Sequence, residues 1–209
     1  MAELDGYLAQ AEQAMEQANK LYGDLGWNVL ESQGNFTISS IPTDISCDAL
    51  KVEYFFDKNP VAVGRYIFDH YVELSNSENE LFDYYREIKR FGADAFGAEF
   101  RIKSIGGVVS PREVPLFLCF LQLSETTSAI VVKTVDLPEA TYSADAVKAS
   151  VDYGLYLFEP VGGDASKTHF IHVTRFDPKG SVPGALVNAK LKSRGAQLKH
   201  FVDTAVAHV

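Results

Sequence analysis

A chain of 209 residues that is 46% hydrophobic can bury one sizeable core, so a single domain spanning residues 1–209 is expected. Its formal charge of -9, from 28 acidic against 19 basic side chains, argues against nucleic acid as a partner, because affinity for a phosphate backbone rests on clustered Lys and Arg. The two cysteines, Cys47 and Cys119, are too few for a disulfide framework or a metal cluster and read as small buried hydrophobes.

In residues 3–22, Leu4, Leu8, Ala11, Met15, Ala18 and Tyr22 recur at steps of four and three, which predicts an amphipathic helix ended by Gly23 and Gly26. Two short strands follow at 27–31 and 36–40, parted by Gly34, and a third at 50–56 alternates Leu50, Val52, Tyr54 and Phe56 with Lys51 and Glu53. Asn59-Pro60 is a helix-start signal, and Val61, Tyr66, Ile67, Tyr71 and Leu74 can face a core from that helix; a short second helix is expected at 78–82. Strands are then expected at 84–91, 95–105, 115–123, 128–135, 146–158 and 167–176, with turns at Gly92, Gly106-Gly107 with Pro111, 124–127, Pro138 and Gly162-Gly163-Asp164. Asp177-Pro-Lys-Gly180 makes a turn, and Pro183 opens a closing helix over 183–207 with Val187, Leu191, Leu198, Val202 and Ala205 in one stripe. Strands and helices in this order favour an α+β arrangement, an antiparallel sheet with helices on one side.

Several tracts in the second half of the chain occur together in one known family. They are Ser110-Pro-Arg-Glu-Val114, Thr134-Val-Asp-Leu-Pro138, Ala146-Val-Lys-Ala149, Gly154-Leu-Tyr-Leu-Phe-Glu-Pro160 and the run from Thr168 to Asn188. In this order the chain resembles the START domain, the steroidogenic-acute-regulatory-related lipid-transfer family. The resemblance covers roughly 50–202 and departs from the family pattern at Glu113, Val114 and Lys148. It implies a helix-grip fold: a curved antiparallel sheet of about nine strands around a C-terminal helix, with an N-terminal helix, holding a lipid cavity under the C-terminal lid.

The resemblance also implies a ligand-binding set. It places a buried acid at Glu99 and puts Leu118 where sterol-binding members carry the partner arginine; Arg101, two residues from Glu99 on the same strand face, can replace that partner at the polar end of the pocket. The alternative left open is that Glu99, Arg101 and Lys103 face solvent. Val151 falls on a position that contacts headgroups, and with Leu116, Leu118 and Phe120 it makes an apolar wall, to which the lid adds Val187, Leu191, Leu198 and Val202. The family's mouth is guarded by the loop that is residues 106–110 here, so Val108 and Val109 together with Lys190, Lys192 and Arg194 are expected to dock on membranes. Residues 184–209 carry net +3 and the remainder -12, which suits attraction to anionic headgroups.

Residues for catalysis are poorly placed. His169 and His172 are three apart on a predicted strand and point to opposite faces, His70, His200 and His208 lie on helices with no evident nucleophile, and no Gly-rich phosphate loop precedes a helix. No catalytic residue, metal or cofactor is therefore expected. The N-terminal Met1-Ala-Glu-Leu-Asp-Gly6 lacks the basic and apolar regions of a signal peptide, so the expectation is a cytoplasmic protein with peripheral membrane association. Its expected function is to enclose one hydrophobic lipid, a phospholipid, sterol or ceramide-like molecule, in a cavity gated by the C-terminal helix. It is expected to act as a monomer that touches membranes transiently. A lipid-responsive sensor is the alternative, and a hydrolase or cyclase using the same cavity ranks below it.

Overall fold

The computed structural model describes residues 2–77, 81–104 and 109–209. Helix α1 (Ala2–Tyr22) buries Tyr7, Ala11, Ala14 and Ala18, a narrow stripe whose alanines let the helix lie close on a sheet; Leu4, Leu8, Met15 and Tyr22 flank that stripe half-buried. The sheet starts with β1 (Asn28–Gln33), β2 (Phe36–Ile41) and β3 (Ala49–Phe56). Then α2 (Pro60–Asp69) begins where Asn59 accepts a hydrogen bond from the Ala62 N–H at 2.9 Å, and α3 (Tyr71–Ser77) follows at once.

The remaining strands are β4 (Phe82–Arg90), β5 (Ala95–Ile102), β6 (Arg112–Gln122), β7 (Ser128–Lys133), the two-residue β8 (Val147–Lys148), β9 (Ser150–Val161) and β10 (Asp164–Asp177). Helices α4 (Gly184–Asn188) and α5 (Leu191–Val206) close the chain. Nine strands form one open antiparallel sheet in the order β1-β2-β3-β10-β9-β7-β6-β5-β4, and β8 adds a short parallel pairing to β6.

Three elements differ from expectation. The second helix lies at Tyr71–Ser77, because the Asn76 side chain exchanges two hydrogen bonds with the Tyr85 backbone and hands the chain to β4, which already contains Phe82; residues 78–80 lie outside the described residues. The strand expected over 146–158 is split, since Val147 and Lys148 pair with β6 whereas β9 pairs with β7 and β10. The closing helix is broken at Ala189-Lys190, between two separate anchors: Asn188 tied to Asp48 on one side and Gly195 packed on Ile38 on the other.

The sheet has two covered faces rather than the one helical side expected, because the buried stripe of α1 packs on the face opposite the other helices. One carries α1 over Phe117, Cys119, Val131, Tyr153, Leu155 and Ile171; the other carries α2, α3 and α5 over the larger core. In a flat sheet β3 and β4 would be six strand spacings apart, about 29 Å. Leu50 of β3 and Tyr85 of β4 nevertheless line the same cavity, so the sheet curves around this second face. Bulges in β1, β4 and β10 contribute bend and twist to that curvature.

Helix α5 reaches the sheet through Gly195. A Cβ there would stand 2.7–2.8 Å from three carbons of Ile38, which is fully buried and has no room to yield. Gly195→Ala is therefore expected to lower the unfolding free energy by about 1–3 kcal/mol in urea titration, and Ile38→Ala in the same chain to recover part of that loss.

Candidate functional site

Between the concave face of the sheet and α3, α4 and α5 lies a cavity of about 290 Å³. Strand alternation builds its wall: Phe100 and Ile102 of β5, Leu116 of β6, Val132 of β7 and Val151 of β9 all point inward. Val187, Leu191, Leu198 and Phe201 close it from the two C-terminal helices.

A small polar group is set into this apolar wall. The Tyr71 and Tyr156 hydroxyls meet at 2.7 Å, both rings buried, and the His172 ring lies 4.3 Å from Tyr156. Tyr85 stacks on Phe100, and its Oη has no hydrogen-bond partner within range; His172 Nδ1 and Gln197 Oε1 are likewise buried and unpaired. The Arg194 guanidinium lies 5.6 Å from the centre of the Phe82 ring, and among the described residues no carboxylate or other acceptor binds it.

Charge states follow from this setting. Burial, and after it the Arg194 charge, pushes the His172 pKa down from 6.5 to about 3, so the ring is neutral near pH 7. Burial holds the phenols of Tyr71, Tyr85 and Tyr156 above their ordinary value, with Arg194 acting in the opposite direction on each.

The mouth is latched. Asp48 N–H donates to Asn188 Oδ1 and Asn188 Nδ2 donates to Asp48 Oδ1, both at 2.9 Å. Beside them Arg112, buried, donates to the carbonyls of Ser110, Pro178 and Lys179, which fixes the turn leading into α4. Further along, α5 is held to β3 by the Tyr54 hydroxyl, which donates to Asp203 at 2.6 Å and accepts from Lys199 at 3.3 Å, while Lys199 and Asp203 pair within the helix at 2.6 Å.

The residues singled out in the sequence separate into three groups. Leu116, Val151, Val187, Leu191 and Leu198 line the cavity. Leu118, Phe120 and Val202 belong to the same core but not to the cavity wall, and Phe120 packs against Phe68 and Arg65 instead. Glu99 and Arg101 share a face, as alternation requires, but it is the outer one: Phe96, Ala98 and Phe100 take the inward positions of β5.

Glu99 is only 3% exposed there. It accepts from Arg86 Nε at 2.9 Å and from the Thr141 N–H at 3.1 Å, while Arg101 pairs with Glu113 at 2.6 Å, Asp145 at 2.8 Å and Asp83 at 3.1 Å. The pair is neither the polar end of the pocket nor a solvent face, because the segment 139–145 covers it. Tyr85, Tyr156, His172 and Arg194 take the polar role in the cavity. His172 was legible as such, since it shares strand parity with Phe170 and Phe176, but only the fold brings the tyrosines to it.

The basic residues of the lid do not share one face. Lys190 stands exposed at the rim, Arg194 turns into the cavity, and Lys192 pairs with Glu31 at 3.0 Å. Val109 is half-buried and borders the cavity, whereas Val108, with residues 105–107, lies outside the described residues.

An open antiparallel sheet bent around a C-terminal helix over an apolar cavity is the helix-grip fold. The sequence model described as the START domain matches residues 103–208, just over half of the chain, and the protein belongs to the START domain family. Among solved structures it is similar to human StAR-related lipid transfer protein 5, with a TM-score of 0.80, 14% identity and 98% of each chain covered. It is also similar to human STARD10, with a TM-score of 0.75, 16% identity, 93% of this chain and 79% of that one covered. A STAR-related lipid transfer protein fragment from Xanthomonas axonopodis gives a TM-score of 0.70 at 14% identity, covering 86% of this chain and 98% of that one. At these identities the likeness is one of fold. No curated protein sequence matches the chain.

Two outcomes are expected from this geometry. Glu99→Ala lowers stability by about 1–3 kcal/mol, through the unpaired Thr141 N–H and lost Arg86 contact, yet leaves occupancy of the cavity unchanged when both are measured on one preparation. His172 has a folded pKa below its ordinary 6.5, so the unfolded chain binds the extra proton first and stability falls as pH drops from about 6.5 toward 3. Each unit in that window costs up to about 1.4 kcal/mol, and urea titrations of His172→Leu across it show a correspondingly shallower loss.

Proposed function

We propose that this protein encloses one hydrophobic lipid in the cavity and carries it through water, the ligand passing beneath α4 and the first turn of α5. The observation that carries this reading is a largely apolar cavity under a two-part lid. Its far part is bound firmly to the sheet by Gly195 and Asp203, and its near part by the Asp48 and Asn188 pair.

Each methylene hidden from water is stabilised by roughly 0.8 kcal/mol, so a closed apolar cavity removes the main barrier to moving a lipid through solvent. The names of two proteins with this fold, human StAR-related lipid transfer protein 5 and the Xanthomonas protein, carry lipid transfer, and the present reading extends that activity to this chain. Binding fits the polar groups better than catalysis does, because burial makes His172 a weak base, with its pKa pushed down to about 3, and keeps the tyrosines protonated.

The lid is also where a membrane would be met. Leu186 on α4 is 54% exposed and stands one turn from the exposed Lys190, an apolar and a cationic group side by side at the mouth. Among the described residues no helix is long and apolar enough to cross a membrane, which is consistent with contact at the surface. Leu186→Asp is expected to weaken sedimentation with anionic vesicles severalfold, and unaltered sedimentation would remove α4 as the docking element.

Mass spectrometry of the purified protein is expected to find one lipid per chain, and labelled lipid is expected to move between vesicles in its presence. A preparation that retains no lipid and exchanges none would overturn the reading. Asn188→Ala removes both bonds of the near latch, so it is expected to cost about 1 kcal/mol of stability while making exchange up to roughly tenfold faster.

A further inference from the structure

The described lining of the cavity contains three cations, Arg112, Lys190 and Arg194, against one carboxylate, Asp48, in a protein whose total charge is -9. Two of these four are engaged: Arg112 with three backbone carbonyls and Asp48 with Asn188. Lys190 stands at the rim in water. What is left is Arg194, a half-buried guanidinium lining the apolar space, which has the face of Phe82 against it and no acceptor among the described residues.

Arg194 is half-buried, and a guanidinium at the edge of an apolar space is the donor that an anionic group entering that space would meet, their pairing strengthening as both lose water. Its neighbours cannot be that anion. The Arg194 charge reaches Tyr71, Tyr85, Tyr156 and His172, but burial keeps the three phenols protonated and the imidazole neutral. Tyr85 adds a second unmet group, a hydroxyl 96% buried with its ring and without a hydrogen-bond partner. Two donors, Arg194 and the Tyr85 hydroxyl, thus face the cavity, beside two unpaired atoms that can accept, His172 Nδ1 and Gln197 Oε1.

We infer that the ligand is a carboxylate amphiphile with a single apolar body, a long-chain fatty acid being the simplest member, whose carboxylate is held by Arg194 and by the Tyr85 hydroxyl. This rests on the lipid-binding reading above and narrows it. The planar guanidinium fork matches a carboxylate in two parallel hydrogen bonds, and burial of the pair strengthens both. A lone sterol hydroxyl would leave the Arg194 charge without a counter-ion. A choline headgroup would bring a cation for which the lining offers only Asp48, already paired. Size points the same way, since 290 Å³ is at the bottom of the range of about 300–1,000 Å³ seen in small-molecule pockets and suits one chain better than two.

The test compares oleate with oleyl alcohol, equal in chain and different in charge, by competition against a fluorescent lipid on the 209-residue chain at neutral pH. Oleate is expected to bind at least about tenfold more tightly, the difference a charged hydrogen bond makes, and Arg194→Gln to bring the ratio of the two affinities close to one. Tyr85→Phe is expected to reduce the same ratio partially. A second readout is independent of affinity: the Arg194 Nε–H resonance, assigned by its loss in Arg194→Gln, shifts on addition of oleate and not of the alcohol. Equal binding of oleate and alcohol, or a ratio unaffected by Arg194→Gln, would overturn the carboxylate assignment and leave lipid binding intact. Binding of neither, together with no lipid retained by the purified protein, would overturn both.

Discussion

Gly195 of α5 rests against Ile38 of β2 so closely that a methyl group has no place between them, and the rest of the protein is arranged around that contact. It sets the height at which the C-terminal helix crosses the concave face of the sheet. Together with the Tyr54, Lys199 and Asp203 network it makes the far half of α5 part of the core, where Leu198, Phe201, Val202 and Ala205 are buried. The near half, with α4, spans open space instead. The cavity lies under this near half, between the bending sheet and the helices above it.

The sheet separates two kinds of polar chemistry. On the outer face of β5 the charged groups are paired: Glu99 with Arg86 and Thr141, and Arg101 with Glu113, Asp145 and Asp83. Ser143 and Arg101, acting against burial, hold the Glu113 carboxyl below its ordinary range. On the inner face the polar groups are left incomplete, with Tyr85 Oη, His172 Nδ1 and Gln197 Oε1 unpaired beside Arg194. A matched network gives rigidity, whereas an unmatched one inside a cavity is the chemistry of a site awaiting a ligand. That the same strands supply both is a consequence of the twofold alternation of a β-strand.

Much of the architecture was legible in the residues. The steps of four and three in α1, the Asn59-Pro60 start of α2, the alternation of β3 and the Gly162-Gly163 turn between β9 and β10 each stand where the pattern puts them. The errors share one cause. Strand parity tells which residues are on the same face but not which face is inside, so Glu99 and Arg101 were correctly grouped and placed on the wrong side of β5. A helical stripe likewise shows that Lys190 and Arg194 lie on one side of the helix and Lys192 on another, but not which of them meets water, an acid on β1 or a cavity.

The sequence by itself therefore determined most of the elements, their order and the family, because these depend on periodicity, turn residues and short tracts that are local in the chain. Only the tertiary structure decided that the polar end of the cavity is made by Tyr71, Tyr85, Tyr156, His172 and Arg194, which come from α3, β4, β9, β10 and α5. Leu50 of β3 and Tyr85 of β4 line one cavity because six strand spacings are bent around one helix. That curvature comes from bulges and from how closely two surfaces can approach, and neither property is written in any short stretch of residues.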